Sequence, residues 1–142
     1  MIVPDANLLL FAYDAASPHH ERAKSWWEEC VSGPEPVGLI AVVLFAFIRV
    51  GTSPRVFEEP FSIAEASRHV QAWLAAPTTE LLSVARADVD QALAWLTEAG
   101  SGGNLTTDAQ IAAVARRCRA QVHTADTDFA RFPGVRWKNP LI

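Results

Sequence analysis

The chain has 142 residues, half of them hydrophobic, and a formal charge of −4, with 12 Lys and Arg against 16 Asp and Glu. That length and apolar content suit a single domain, residues 1–142, with a sizeable buried core, and they exclude a disordered chain. The acidic balance argues against holding nucleic acid by bulk positive charge, yet from Leu105 onward six basic side chains face only three acids, so the acidic excess lies in the first two-thirds.

The opening MIVPDANLLLFAYD carries Asp5 and Asp14 and no basic stretch, which is not the pattern of a signal peptide. Ile2 and Val3 predict a short strand ending near Pro4 and Asp5, and Asn7 to Tyr13 an apolar helix. Ser17 is the expected N-cap of the next helix, with Pro18 at its first position, running through WWEECV to a stop at Gly33. Val37 to Ile40 predicts a second strand, and the apolar run continues into a buried helix through Ile48. From Gly38 to Ile48 that run has eleven residues, short of the roughly 18 to 20 that span a bilayer. A soluble, cytoplasmic protein with no membrane association is the expectation.

After the loop GTSPRVFEEP, Ser62 and Glu65 have the spacing of a capping box for a helix ending near Leu74. Pro77 breaks the chain, Glu80 to Val84 predicts a strand, and Asp88 with Gln91 repeats the capping-box spacing for a helix through Ala99. The GSGG stretch from Gly100 to Gly103 reads as a flexible loop. Thr106 or Thr107 is the expected cap of the following helix, on which Asp108, Ile111, Ala112 and Ala115 share one face, so Asp108 projects to the buried side. Gln121 to Thr124 predicts a last short strand before HTADTDFARF and the closing RFPGVRWKNPLI. Repeated βα units imply an α/β fold with a mainly parallel central sheet, helices on both faces, and ligands gathered at the carboxyl ends of the strands. Cys30 and Cys118 are far apart and outside any metal-ligand spacing, and are expected to be buried reduced thiols; the four histidines show no zinc pattern.

The acids carry the chemical signal. Asp5 follows the first strand, Asp126 and Asp128 follow the last, and Asp108 opens a helix. In a parallel sheet, strand C-termini and helix N-termini share an edge, so these four carboxylates can converge there. Such convergence is unfavourable unless a cation neutralises it, and an all-oxygen set suits Mg²⁺ or Mn²⁺ and phosphodiester hydrolysis. Each acid also has a plainer role: Asp5 as a helix N-cap, Asp108 as a complement to the helix dipole, Asp128 as an Asx-turn or cap. Asp126, a strand-end acid in a basic segment, is the hardest to explain that way.

The stretches PDANLLLFAYD, LFAFIRVGTSPRVF, GNLTTDAQIAAVA and HTADTDFARFPGVRWKNPL together resemble the PIN-domain ribonucleases, and among them the mycobacterial-type branch of the VapC toxins of type II toxin–antitoxin systems. The resemblance implies a PIN-like fold and Mg²⁺-dependent (or Mn²⁺-dependent) endonucleolytic cleavage of structured RNA, such as transfer or ribosomal RNA, by activated water. It carries over Asp5, Asp108 and Asp126 as metal-binding catalytic acids, Asp128 as the accompanying acid, and Asn7 and Thr124 as polar residues that order the site. It also implies a VapB-type antitoxin partner, with a homodimer and a toxin–antitoxin hetero-oligomer. Arg49 and Arg131 become candidates for RNA contact, and Leu8 to Tyr13 with Trp26 or Trp27 a candidate antitoxin dock, since two adjacent tryptophans are not expected both to be buried on one helix face.

One position departs from the pattern. Where many PIN nucleases have a glutamate after the second strand, this chain has Ala46, and Leu39 to Ile48 contains no acid. That raises the importance of Asp128 as a substitute and leaves, as the alternative, a degenerate PIN domain that binds RNA or a protein without cutting. A phosphoacceptor receiver domain also gathers aspartates at strand ends, but it needs a lysine after a late strand, and the only lysines are Lys24 and Lys138.

Overall fold

A computed structural model describes every residue from Met1 to Ile142. Five strands form one sheet: β1 (Ile2–Pro4), β2 (Val37–Ile40), β3 (Thr79–Leu82), β4 (Gln121–His123) and β5 (Arg136–Lys138), in spatial order β3-β2-β1-β4-β5. Every pairing is parallel. Six helices connect and cover them: α1 (Ala6–Tyr13), α2 (His20–Ser32), α3 (Ala41–Gly51), α4 (Ile63–Ala75), α5 (Arg86–Ala99) and α6 (Asn104–Arg117). A single 3₁₀ turn, Thr127–Arg131, follows β4.

The strand order positions the site. From β1 the chain moves outward to β2 and β3, then returns to place β4 on the other side of β1. The order therefore reverses between β1 and β4, and the crevice outside their carboxyl ends is the place where ligands enter such sheets. Asp5 leaves β1 there, and Thr124 leaves β4. The backbone N–H of Asp5 donates to the His123 carbonyl at 2.9 Å, extending the β1–β4 ladder up to the crevice.

The central strands are short and dry. β2 is buried at all four positions and β1 at all three, as expected for parallel strands covered on both faces. Helix α2 covers one of those faces, and here the expectation for Trp26 and Trp27 is overturned: both are buried. They meet different neighbours, because successive residues on a helix point about 100° apart. The Trp26 indole N–H donates to Nδ1 of His123 at 2.9 Å, whereas Trp27 packs edge-on against Trp73 of α4 at 5.6 Å. Leu8 and Leu9 are likewise core, so neither these leucines nor the tryptophans form an open dock.

Trp73 is the hub of that cluster. Its ring lies 4.7 Å from Phe47 and 5.8 Å from Tyr13, and its indole N–H donates to the Tyr13 hydroxyl at 2.8 Å. Trp73→Ala is expected to destabilise the protein by about 3–5 kcal/mol, the usual range for emptying a buried aromatic site, as read from chemical denaturation monitored by far-UV circular dichroism.

Several element boundaries differ from expectation, each for a local reason. Ser17 accepts from the His19 N–H at 3.1 Å and closes a turn, so α2 begins at His20 rather than Pro18. Asp88 sits at the third position of α5, where its carboxylate reaches back to the Ala85 N–H at 2.8 Å and takes both contacts from Arg117 Nε at 2.9 and 3.0 Å. Helix α6 starts at Asn104, ahead of Thr106 and Thr107, after Gly103 at φ 58°. β3 begins at Thr79 and stops at Leu82, short of Val84. β5 is an additional edge strand. Both cysteines are free thiols; Cys30 is buried and pushed up to about 12 by burial, while Cys118 is only half-buried. No helix is long and apolar enough to cross a membrane.

Candidate active site

Asp5 caps α1 and is fixed at both oxygens. Its Oδ1 accepts from the Ala6 N–H at 2.7 Å and its Oδ2 from the Thr124 hydroxyl at 2.7 Å. Thr124, fully buried, is the junction of the site: its Oγ1 also accepts the Asp126 N–H at 2.9 Å, with the Asn7 amide at 3.5 Å. Asn7 in turn accepts from the Ala125 N–H at 3.4 Å. One threonine thereby ties the end of β1 to the loop after β4, and this network holds the geometry of Asp5 and Asp126 together.

Asp126 serves a role that Asp128 was expected to fill. It caps the 3₁₀ turn, accepting from the Asp128 N–H at 2.8 Å, and this local bond turns Asp128 back toward the crevice. Phe129, fully buried, pins the turn from beneath. Carboxylate oxygens of Asp108, Asp126 and Asp128 then lie within 4.8 Å of one another. Asp108 is buried in the first half of α6, as its apolar face-mates Ile111, Ala112 and Ala115 require.

The electrostatics of the cluster are those of crowded like charges. Burial, followed by the charges of Asp5 and Asp126, a hydrogen bond with Asp126 and the charge of Asp128, pushes the Asp108 carboxyl up to about 7. Burial also raises Asp5, against the lowering effect of its hydrogen bonds to Thr124 and Ala6. The three ion pairs of the molecule, Met1 with Glu35, Arg86 with Asp90 and Arg117 with Asp88, all lie elsewhere. The cluster thus has an all-oxygen donor set and no basic side chain to neutralise it, which is the chemistry that fits a hard divalent cation.

The remaining expected residues are less tightly placed. Arg131 is exposed at the end of the same 3₁₀ turn that carries Asp128. Arg49 is exposed in the last turn of α3 and makes no hydrogen bond or ion pair. Ala46 sits half-buried in α3, and the carboxylate trio assembles without an acid at that position. A cavity of about 810 Å³ lies away from all four acids, between α2 and the C-terminal segment, with Trp26, Cys30, His123 and Lys138 in its lining. His123 there is held below its usual range, to about 4, chiefly by burial. Sequence reasoning gave it no role; its hydrogen bond with Trp26 locks the wall behind Thr124, and only its place at a strand end hinted at that.

A parallel five-stranded sheet with carboxylates at its switch point fits the PIN class of domain, and the family model of the PIN domain matches residues 2–135. Ribonuclease VapC33 of Mycobacterium tuberculosis is 43% identical over 141 residues, covering 99% of both chains, and ribonuclease VapC37 of the same organism 39% identical over 140 residues, covering 99% of this chain and 97% of its own. The chain belongs to the VapC ribonucleases of the PIN-domain family. Solved structures share its fold: that of M. tuberculosis VapC20, a sarcin–ricin loop cleaving toxin, has a TM-score of 0.71 at 22% identity over 96% of this chain and 99% of that one. VapBC2 of Rickettsia felis, solved on a fragment of promoter DNA, matches with a TM-score of 0.68 at 17% identity, covering 98% of each.

Proposed function

We propose that this protein is a divalent-metal-dependent endoribonuclease, the toxin of a type II toxin–antitoxin pair, and that it cuts structured RNA of the transfer or ribosomal class in the cytoplasm. The observation that carries the reading is the trio Asp108, Asp126 and Asp128, three carboxylates within 4.8 Å of one another and without a basic partner. These three, with Asp5 across the crevice, are the proposed ligands of Mg²⁺ or Mn²⁺ and the catalytic acids. When bound, such an ion supplies a neutralising charge for the scissile phosphate and lowers the pKa of an attacking water.

The protein's own groups do the positioning. Thr124 fixes one oxygen of Asp5 and orients the Asp126 backbone, leaving lone pairs on both carboxylates free to bind. Asn7 braces the loop that carries them. Arg131, on the turn beside Asp128, is the proposed phosphate contact nearest the cluster, and Arg49 a more distant one. Water attacks the phosphorus in line, so no covalent protein intermediate forms.

A VapB-type antitoxin is the proposed partner, supported by the shared fold with toxins solved as VapBC complexes. Exposed Phe45, Val89 and Leu93 offer apolar surface for that hetero-oligomer or for a homodimer. The second reading, a PIN domain that binds RNA or a partner without cutting, is favoured by Ala46 alone. Incubating antitoxin-free protein with total RNA separates the two. Fragments are expected with Mg²⁺, none with EDTA, and none with Asp5→Asn; indistinguishable wild-type and Asp5→Asn lanes would overturn the enzyme reading.

A further inference from the structure

The geometry points to a nucleobase subsite beside the acidic cluster, in the cleft between the end of α5, the start of α6 and the 3₁₀ turn, which takes an unpaired guanine next to the bond being cut. This inference rests on the ribonuclease reading above and adds to it the recognition of a base.

The cleft is small, about 180 Å³, and Trp95, Glu98, Leu105, Arg131, Phe132 and Pro133 line it. Pockets for drug-sized ligands run from about 300 to 1,000 Å³, so this one accommodates a single flat ring system. Two of its lining residues are one turn from the acids. Leu105 precedes Asp108 by three residues on α6, and Arg131 follows Asp128 by three on the 3₁₀ turn. Two of the three elements that bound the cleft, α6 and the 3₁₀ turn, therefore also carry a carboxylate of the trio, and one helical turn is a rise of about 5 Å, the reach of one nucleotide's sugar.

The floor is aromatic and rigid. Trp95 and Phe132 pack with ring centroids 4.9 Å apart, Phe132 lies 5.9 Å from the fully buried Phe129, the Arg116 guanidinium lies 5.9 Å from the Trp95 ring centroid, and both Trp95 and Phe132 are buried, so they set the shape of the cleft from beneath. Sequence-specific RNA recognition commonly splays a base out of a single-stranded loop and reads its edges, and the exposed Pro133 is the apolar wall such a base meets here.

The rim supplies the polar chemistry. Glu98 and Arg131 are both exposed, and neither engages in a hydrogen bond or in any of the three ion pairs. An ionised glutamate only accepts hydrogen bonds. The Watson–Crick edge of guanine presents two adjacent donors, N1–H and the 2-amino group, which match the two carboxylate oxygens. Uracil flanks its single N–H with carbonyls that repel a carboxylate, and adenine and cytosine set a ring-nitrogen acceptor beside their amino donor. Arg131 faces the backbone phosphate of the same nucleotide. A chain of net charge −4 gains little from bulk attraction to RNA, so base contacts of this kind have more of the discrimination to supply.

Two measurements on the full chain test the subsite. In the first, an RNA pool with a randomised single-stranded segment is digested with Mg²⁺, and the new ends are sequenced. Wild type is expected to favour guanine at one position flanking the cut by about 5- to 100-fold, the usual range for a two-point base contact, and Glu98→Gln and Glu98→Ala are expected to flatten that position. Cleavage with the same preference in both variants overturns the subsite and leaves the ribonuclease reading standing. In the second, metal-free protein is titrated with GMP and with UMP, followed by NMR. Tighter binding of GMP that disappears in Glu98→Gln supports the subsite even where no RNA is cut, a result that would overturn only the ribonuclease reading; equal binding of the two nucleotides overturns the subsite.

Discussion

Asp108→Asn is expected to lower RNA cleavage by about 10²–10³-fold and, at the same time, to raise the thermal stability of the metal-free protein. The loss follows from its place in the proposed metal site: removing even an outer-shell partner of a metal ligand typically reduces affinity or activity by about 10–100-fold, and removing a direct one is worse. The gain has a separate origin. Asp108 is buried beside Asp5, Asp126 and Asp128, and without a cation its charge is repelled by three others. Asparagine keeps the shape and removes the repulsion. Asp128→Asn, at the exposed edge of the trio, is expected to show the same signs with smaller amplitude, about 10-fold in rate. Single-turnover cleavage of a defined RNA and thermal melts in EDTA measure the two effects. A variant that lost activity together with stability would instead mark Asp108 as a packing residue.

How much of this arrangement is legible in the sequence depends on what each residue answers to. β1 and β2 are apolar runs beside Pro4 and Pro36, whereas β4, Gln-Val-His, has only Val122 and is legible from its place between a helix and the turn residues that follow. β5 is not legible because Arg-Trp-Lys has no apolar stretch; it is an edge strand whose only requirement is to pair with β4. Helix starts mislead where a side chain has two local partners to choose from, as when Ser17 closes a turn and Asp88 reaches back from inside its helix. Gly103 illustrates the converse, since residues that read as a flexible loop are the cap of α6, in a backbone conformation that favours glycine. The convergence of Asp5, Asp108 and Asp126 is legible from topology alone, because strand ends and helix starts must meet at one edge. The division of labour between Asp126 and Asp128 is not, because it turns on which carboxylate accepts one backbone N–H in a five-residue turn.

Stability of the metal-free protein is expected to fall as pH rises from about 4 to 7, opposite to the behaviour of a protein held together by ion-paired carboxylates. The Asp108 carboxyl lies near 3.8 when unfolded and about 7 when folded. Between those values the folded state holds a proton that the unfolded state has released, so the unfolded state gains on each step upward in pH. Below the window both states are protonated and above it both are ionised, so the contribution is flat on either side. The cluster opens to water, and solvent screening limits the effect to about 2 kcal/mol, less than the full shift would give. A divalent cation reverses the trend, because each ion bound below pH 7 must displace that proton. Its apparent affinity is expected to rise about tenfold per pH unit up to neutrality and to level off beyond it. Melting temperatures of wild type and Asp108→Asn, with EDTA and with Mg²⁺, from pH 4.5 to 8 measure both curves. The wild-type melting temperature should decline with pH in EDTA and recover with Mg²⁺, while the variant responds weakly to either. Parallel curves for the two proteins would mean that Asp108 neither carries the raised pKa nor meets the ion.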